Sequence, residues 1–323
     1  MAPIGEMVLG RPDVRLRPFV DRYVGYRERA DVPLVRRESA GVFVVLILGW
    51  GAPLDVTDPR SAERGATKVD SFVAGTFDGW CTTHTMGVGE GVELLLAPLT
   101  ARRLLGLPLS ELTNRAVGVG QLPGRWLDRL RGRLAETEGW PERFALLDRV
   151  LASRLASTPP VDARLDWAWR RLVASGGQEG VGVLADELGW SRRHLASRFR
   201  QDVGLPPKMV ARLLRFQRAY AALTDVGATI GPNAMARAGA GPPTVAGQSA
   251  SGAGHSASGA GQSASGAGPS ASGAGQFGAT RAVDWAAVAA RCGYYDQSHL
   301  IRDFHQFAGA TPAALLAARS MAG

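Results

Sequence analysis

Cysteine is nearly missing from this 323-residue chain: Cys81 and Cys292 are the only two, and they lie far apart. So sparse a pair supports neither a disulfide framework nor a zinc site, and a reducing cytoplasm is the compartment it predicts. His84 is three residues from Cys81, but two ligands do not hold a metal, so neither a metal nor another cofactor is expected. Long apolar runs are missing too. The longest, GVFVVLILGW at 41–50, is about half a membrane span and suits a buried strand. The N-terminal MAPIGEMVLGRPDVR lacks a basic region followed by an apolar stretch, so no secretory signal and no membrane partner are expected. Catalytic signatures are absent as well. No GxSxG, HExxH, CxxC or P-loop pattern occurs, and the five histidines lie in unrelated contexts, so the chain does not read as an enzyme. One GxGxxG match, Gly273 to Gly278, has no strand before it and follows from local composition.

Lysine is the last scarcity. Lys68 and Lys208 stand against 35 arginines, which with abundant Ala and Gly reads as a GC-rich coding bias. The placement of positive charge therefore says more than the net +8. Residues 1–160 hold 21 basic and 19 acidic groups, whereas 161–225 hold 11 and 7. The excess is densest in the shorter segment, which points to a polyanionic partner there.

The chain changes texture along its length. Residues 1–98 carry short apolar runs between Gly and Pro: FVDRYVGY (19–26), VFVVLIL (42–48), SFVAGTF (71–77) and VELLLAP (92–98). They read as strands of a β-rich regulatory domain. Residues 99–158 read as a helical extension suited to dimerisation. Leu127, Leu130 and Leu134 share one face, and Phe144, Leu147, Leu151 and Leu155 share another after Pro141 at a helix start. The double proline at 159–160 marks a boundary. Residues 248–275 are four heptads, QSASGAG, HSASGAG, QSASGAG and PSASGAG. They have no Leu, Ile or Val for a coiled-coil seam, so the wider 226–280 reads as a disordered Gly/Ser/Ala linker. A coil of that length spans about 40 Å, enough for the helical segment after it to stand clear of the one before it. The predicted class is therefore α+β: a β-rich domain with a helical extension, then an all-α domain in two parts, 161–225 and 281–320.

Those two parts nearly repeat. In 161–225, VGVLADEL ends at Gly189 and is followed by SRRHLASRFRQDV with Ser191 as N-cap. Two short helices around a tight Gly turn form a helix-turn-helix pattern. In 281–320, Ala289 and Gly293 match Ala185 and Gly189. His299-Leu300, Phe304, Gly309 and Pro312 match His194-Leu195, Phe199, Gly204 and Pro207. The offset is 104 before the turn and 105 after it, so the second turn is one residue longer. Leu and Phe at i and i+4 pack each second helix down. Residues 192, 193, 196, 197 and 200, and 297, 298, 301, 302 and 305, point away. A helix with polar groups outward at its N-terminal end is what enters a major groove and reads base edges.

GWSRRHLASRFRQDVGLPP and CGYYDQSHLIRDFHQFAGATP resemble the two halves of the DNA-binding domain of AraC/XylS-type transcription regulators. The resemblance implies a bacterial, sequence-specific regulator, expected to be an activator, that places two recognition helices in successive major grooves of double-stranded DNA. It carries base contacts to Arg193, Ala196 and Ser197 and to Gln297, Ser298 and Arg302, with Arg192, Arg200 and Lys208 as further DNA-binding residues. The 226–280 insertion departs from the family's short connection. RPFVDRYVGY and TARRLLGLPLSELTNR resemble the family's regulatory domains, which implies a small-molecule effector, with Trp50, Phe72, Trp80 and His84 as lining candidates. RNA polymerase and a second copy of the chain are the protein partners so implied. An enzyme or a small-molecule-binding scaffold fused to a helix-turn-helix module is the alternative reading.

Overall fold

In the computed structural model, residues 4–58, 67–224, 244–245 and 283–320 are described. Strands β1 (Ile4–Gly10), β2 (Val20–Glu38), β3 (Val44–Gly49), β4 (Leu54–Thr57), β5 (Thr67–Val69), β6 (Phe72–Ala74) and β7 (Cys81–Leu96) lead into helix α1 (Pro98–Leu105). Strand β8 (Ala116–Gly118), α2 (Trp126–Glu136) and α3 (Trp140–Ser157) come next. The sheet is antiparallel in the order β1-β2-β7-β3-β6-β8, with β4 pairing both β5 and β7.

Two strands are much longer than their apolar runs. β2 and β7 pair from Val20↔Leu96 to Glu38↔Cys81, so the polar RERADVPLVRRE and CTTHTMGVG are strand as well. The apolar ends alone predict only half of each, because a paired polar strand has no hydrophobic signature of its own. Pro33 falls in the register break between Ala30 and Leu34, where a residue without an N–H does not interrupt the ladder. β7 then alternates: Val92, Leu94 and Leu96 join Val44, Leu46 and Leu48 of β3 in a core closed by Leu104, Leu127, Leu130, Leu134, Leu147, Leu151 and Leu155 of α1, α2 and α3. Strand β8 corrects the purely helical reading of 99–158. It pairs with β6 from Phe72↔Gly118 to Ala74↔Ala116, and three residues are too few to show a period of their own.

The remaining elements are α4 (Ala163–Ala174), α5 (Val181–Glu187), α6 (Arg192–Val203), α7 (Pro207–Thr224), β9 (Thr244–Val245), α8 (Trp285–Arg291), α9 (Gln297–Ala308) and α10 (Pro312–Ser320). Of 226–280, Thr244 and Val245 pair with Val35 and Leu34, a departure from a continuous coil. The four heptads lie outside the described residues.

The second helix pair does not stand clear of the first. One core joins Leu195 and Phe199 of α6, Phe216 and Tyr220 of α7, and Phe304 and Phe307 of α9. The Phe216 ring lies 5.0 Å from that of Phe304 and 5.4 Å from that of Phe307. Arg212 of α7 donates to Asp303 at 3.1 Å and to Gln306 at 2.7 Å. The sequence-based expectation weighed chain reach alone. Burial of four aromatic rings and a carboxylate decides the matter instead.

Candidate nucleic-acid interface

The α5–α6 and α8–α9 pairs match in detail. Gly189 (φ 64) and Gly293 (φ 80) take the left-handed conformation that turns the chain between helices. The amides of Trp190 and Tyr294 both donate to the carbonyl five residues back, Ala185 and Ala289, at 2.9 Å. Ala185 and Ala289 are buried, where a larger side chain would separate the helices. The caps then fall at Ser191, which accepts from the His194 amide at 3.1 Å, and at Asp296, which accepts from the His299 amide at 2.8 Å. The extra residue of the second turn is therefore Tyr295, and it is 94% exposed.

The His299 amide bonded to Asp296 holds that carboxyl below its ordinary value of 3.8. The support it gives α9 is thus complete above that pH and is lost as pH falls through the lowered value.

Charge on each second helix is sorted by face. In α6 the acidic residue is Asp202, which is buried, accepts from Arg102 at 3.1 Å and is ion-paired with Arg198 at 3.1 Å. In α9 it is Asp303, buried against Arg212. Arg193, Ser197 and Arg200 on α6, and Gln297, Ser298 and Arg302 on α9, are exposed, and Ala196 is half-buried. Arg192 is exposed but lies over α5: a Cβ on Gly182 would come within 2.9 Å of its guanidinium. Lys208 is exposed in the first turn of α7. Tyr295 and His299 are exposed with them and were not among the sequence candidates, and His305, one of the outward positions read from the sequence, is exposed as well. The one-residue offset between the repeats was the signal for Tyr295.

The C-terminal ends of α6 and α9 are both fastened to the β-rich part. The Thr76 hydroxyl donates to the Val203 carbonyl at 3.1 Å, and Thr113 donates to the Gly204 carbonyl at 2.8 Å. At the matching end of α9, the Ala40 amide donates to the Phe307 carbonyl at 2.8 Å, and Gln306 donates to the Asp78 carbonyl at 2.8 Å. Gly309 packs so closely on Trp80 that a Cβ would lie 2.8 Å from the indole. Thr76→Val keeps the side chain's shape while removing its donor. It is expected to lower stability by about 0.5–1.5 kcal/mol, read as the urea midpoint at unchanged m-value. An unchanged midpoint would mean that this anchor contributes nothing.

The loops that make these anchors also wall a cavity of about 370 Å³ on the face of the sheet opposite the α1–α3 core. Ala40 and Gly41 border it on one side, Gly75 and Phe77 on the other, and Gln217 of α7 reaches it from the helical part. Phe72, one of the four lining candidates, is in its wall. The other three lie elsewhere. Trp50 stacks beneath Arg143 at 4.7 Å. Trp80 lies under Arg37 at 4.8 Å. His84 is paired between Val35 and Asp55 on β7, in the strand row opposite Thr83 and Thr85, which do line the cavity. Sequence reasoning missed Glu93 and Gln217. Glu93 carried a signal, since it is the charged residue inside the apolar VELLLAP.

No protein-family model matches the sequence, and no curated protein matches it. Among solved structures, one of ToxT from Vibrio cholerae at 1.65 Å shares 8% identity at a TM-score of 0.43, covering 97% of this chain and 98% of that one. A structure of ToxT from strain SCE256 with an unsaturated fatty acid bound also shares 8% identity at a TM-score of 0.43, covering 97% and 94%. Among the described residues no helix is long and apolar enough to cross a membrane.

Proposed function

We propose that the chain is a sequence-specific, double-stranded DNA-binding transcription regulator that reads two successive major grooves with α6 and α9. The observation that carries this reading is the repetition of one helix-turn-helix geometry, with each second helix turning its acidic residue inward and its basic and amide groups outward. α7 holds the two readers on one support. Its 18 residues give a length of about 27 Å, close to the roughly 34 Å between successive turns of a groove. Arg193 and Arg302 are the guanine readers in this scheme, because a guanidinium makes two parallel bonds to O6 and N7. Gln297 suits adenine, and Lys208 meets phosphate.

The cavity supplies the control point. A small molecule held there touches the two loops that fasten α6 and α9, and it touches Gln217 on the helix between them. Occupancy would favour one separation of the readers over another, which is all that differential binding to two states requires.

The test is selection of bound duplexes from a random pool, followed by affinity measurements on selected and random DNA at two salt concentrations. The selected site is expected to bind about 10³-fold tighter or more, with log affinity falling about 0.9 per phosphate contacted for each decade of salt. Equal affinity for both DNAs at each salt would overturn the reading. Tyr295→Ala is expected to weaken the selected site several-fold without changing the melting temperature, since the ring is almost wholly in solvent. A shift in melting temperature with unchanged DNA affinity would place the ring's role in the fold instead.

A further inference from the structure

The charged groups of the cavity wall all have partners, and the rest of that wall is mostly apolar. β7 turns Val92, Leu94 and Leu96 into the core and Glu93 and Leu95 toward the cavity. Glu93 is buried and engaged. The buried Arg22 stands diagonally beside it on the same face of the sheet, because Val24 pairs with Glu93 and Arg22 with Leu95. Glu28 is in an ion pair with Arg36, the only cation of the lining among the described residues. Asp70 accepts from Arg131 at 2.6 Å, Glu38 from the Thr83 hydroxyl at 3.1 Å, and Glu6 from the Trp140 indole at 3.2 Å. Between these groups the wall is made by Phe43, Val45, Ile47, Leu54, Phe72 and Leu95. Gln217 adds an uncharged polar group from α7. It is 6% exposed, and its amide nitrogen lies 3.3 Å from where a Cβ on Gly41 would stand. Gly41 follows Ala40, which bonds the Phe307 carbonyl, and Phe216, next to Gln217, packs on the Phe307 ring.

We infer that the cavity takes an uncharged, largely apolar molecule whose hydrogen-bonding oxygen meets the side-chain amide of Gln217. An ion of either sign would lose its hydration on entering, and the wall's charged groups, already engaged, would not replace it. An apolar body gains from the same enclosure by leaving water. The cavity volume of about 370 Å³ falls within the range of about 300–1,000 Å³ usual for small-molecule sites. The Gln217 amide both donates and accepts, so a hydroxyl or a carbonyl oxygen satisfies it. A ligand bonded there is tied to α7 and lies against the loop that fastens α9. This inference rests on the reading of the cavity as the control point, but it names the ligand's class and its polar contact, both of which that reading leaves open.

The experiment uses three probes of one shape, 4-phenylbutanol, 4-phenylbutylammonium and 4-phenylbutanoate, titrated calorimetrically into the full chain at pH 7 without DNA. The alcohol is expected to bind about tenfold tighter than either ion, or more, because it has no charge to desolvate. Gln217→Leu keeps the side chain's approximate size and removes its polar end. It is expected to weaken the alcohol about three- to tenfold, the effect of one neutral hydrogen bond, at an unchanged melting temperature. Either ion binding as tightly as the alcohol would overturn the inference, as would failure of all three probes to bind. Unchanged alcohol affinity in Gln217→Leu would overturn the contact assigned to Gln217. If that variant does not fold, the ranking of the probes on the unaltered chain decides the ligand class. The Gln217 side-chain amide resonance, shifted or unmoved by the alcohol, then decides the contact. DNA affinity measured with and without each probe separates the two readings. Preferred alcohol binding with unchanged DNA affinity leaves the ligand class standing and removes the control point. DNA affinity that responds to an ion more than to the alcohol keeps the control point and overturns the ligand class.

Discussion

Phe216→Ala is expected to destabilise the protein by about 3–5 kcal/mol, the cost of removing a phenyl ring from a packed core. Phe216 is wholly buried in α7, with its ring centroid 5.7 Å from that of Tyr220, 5.0 Å from Phe304 and 5.4 Å from Phe307. The ring is where the second helix pair meets the long helix, so the cavity left behind opens between α7 and α9 rather than inside one element. Two consequences can be measured separately. Urea unfolding of the full chain gives the loss of stability. Amide hydrogen exchange gives its location, with protection expected to fall over 285–308 before it falls over 163–203. Phe216→Leu retains part of the volume and should recover part of both effects. A loss below about 1 kcal/mol, with protection of α9 unchanged, would show that other contacts hold the pair in place.

The largest expected effect on DNA comes from Arg193→Ala combined with Arg302→Ala. Each guanidinium, if it reads a guanine, contributes about 1–3 kcal/mol of discrimination. The two sit on different helices with no shared partner, so the effects should add to about 2–6 kcal/mol. The loss should fall on the selected site, bringing it toward random DNA. Lys208→Ala is the contrasting variant. A phosphate contact carries no base information, so it should weaken selected and random DNA alike and reduce the salt dependence. Folding is not at issue for the arginines, because both are exposed and the bonds that hold their helices come from Asp202, Asp303 and the caps. If the double variant weakens both DNAs equally, the arginines meet phosphate, and base reading must come from Gln297, Ser298 and the residues beside them.

The two halves of the molecule differ in how legible they are from sequence. Helix pairs are short-range objects. Gly189, Ser191, Leu195, Phe199 and Gly204 specify a turn, a cap, a buried face and a stop within 16 residues of one another, and the same signals recur about a hundred residues later. Periodicity therefore located both pairs, the Ser191 cap and the outward residues of α6 and α9 without any knowledge of the fold. The β-rich half is built from long-range pairing, and there the apolar runs located only the ends of β2 and β7. The lining candidates show the same division. Trp50, Phe72, Trp80 and His84 are all aromatic or nearly so, but which face of a strand meets a cavity depends on register. Register set Phe72 into the wall and left His84 on the opposite row.

By itself the sequence determined the two matching helix pairs, their exposed basic and amide residues, the placement of β structure ahead of helix, and the extra residue of the second turn. Each of these is encoded within a few turns of chain by side-chain period and by residues with restricted or unusual backbone freedom. Only the tertiary structure decided that the second pair packs on α7, that Thr76, Thr113, Ala40 and Asp78 fasten the C-terminal ends of α6 and α9, and that Glu93 and Gln217 face one cavity. Those facts depend on which distant surfaces bury each other, and burial is settled by the whole set of aromatic rings, paired charges and strand registers acting together, which no local pattern records.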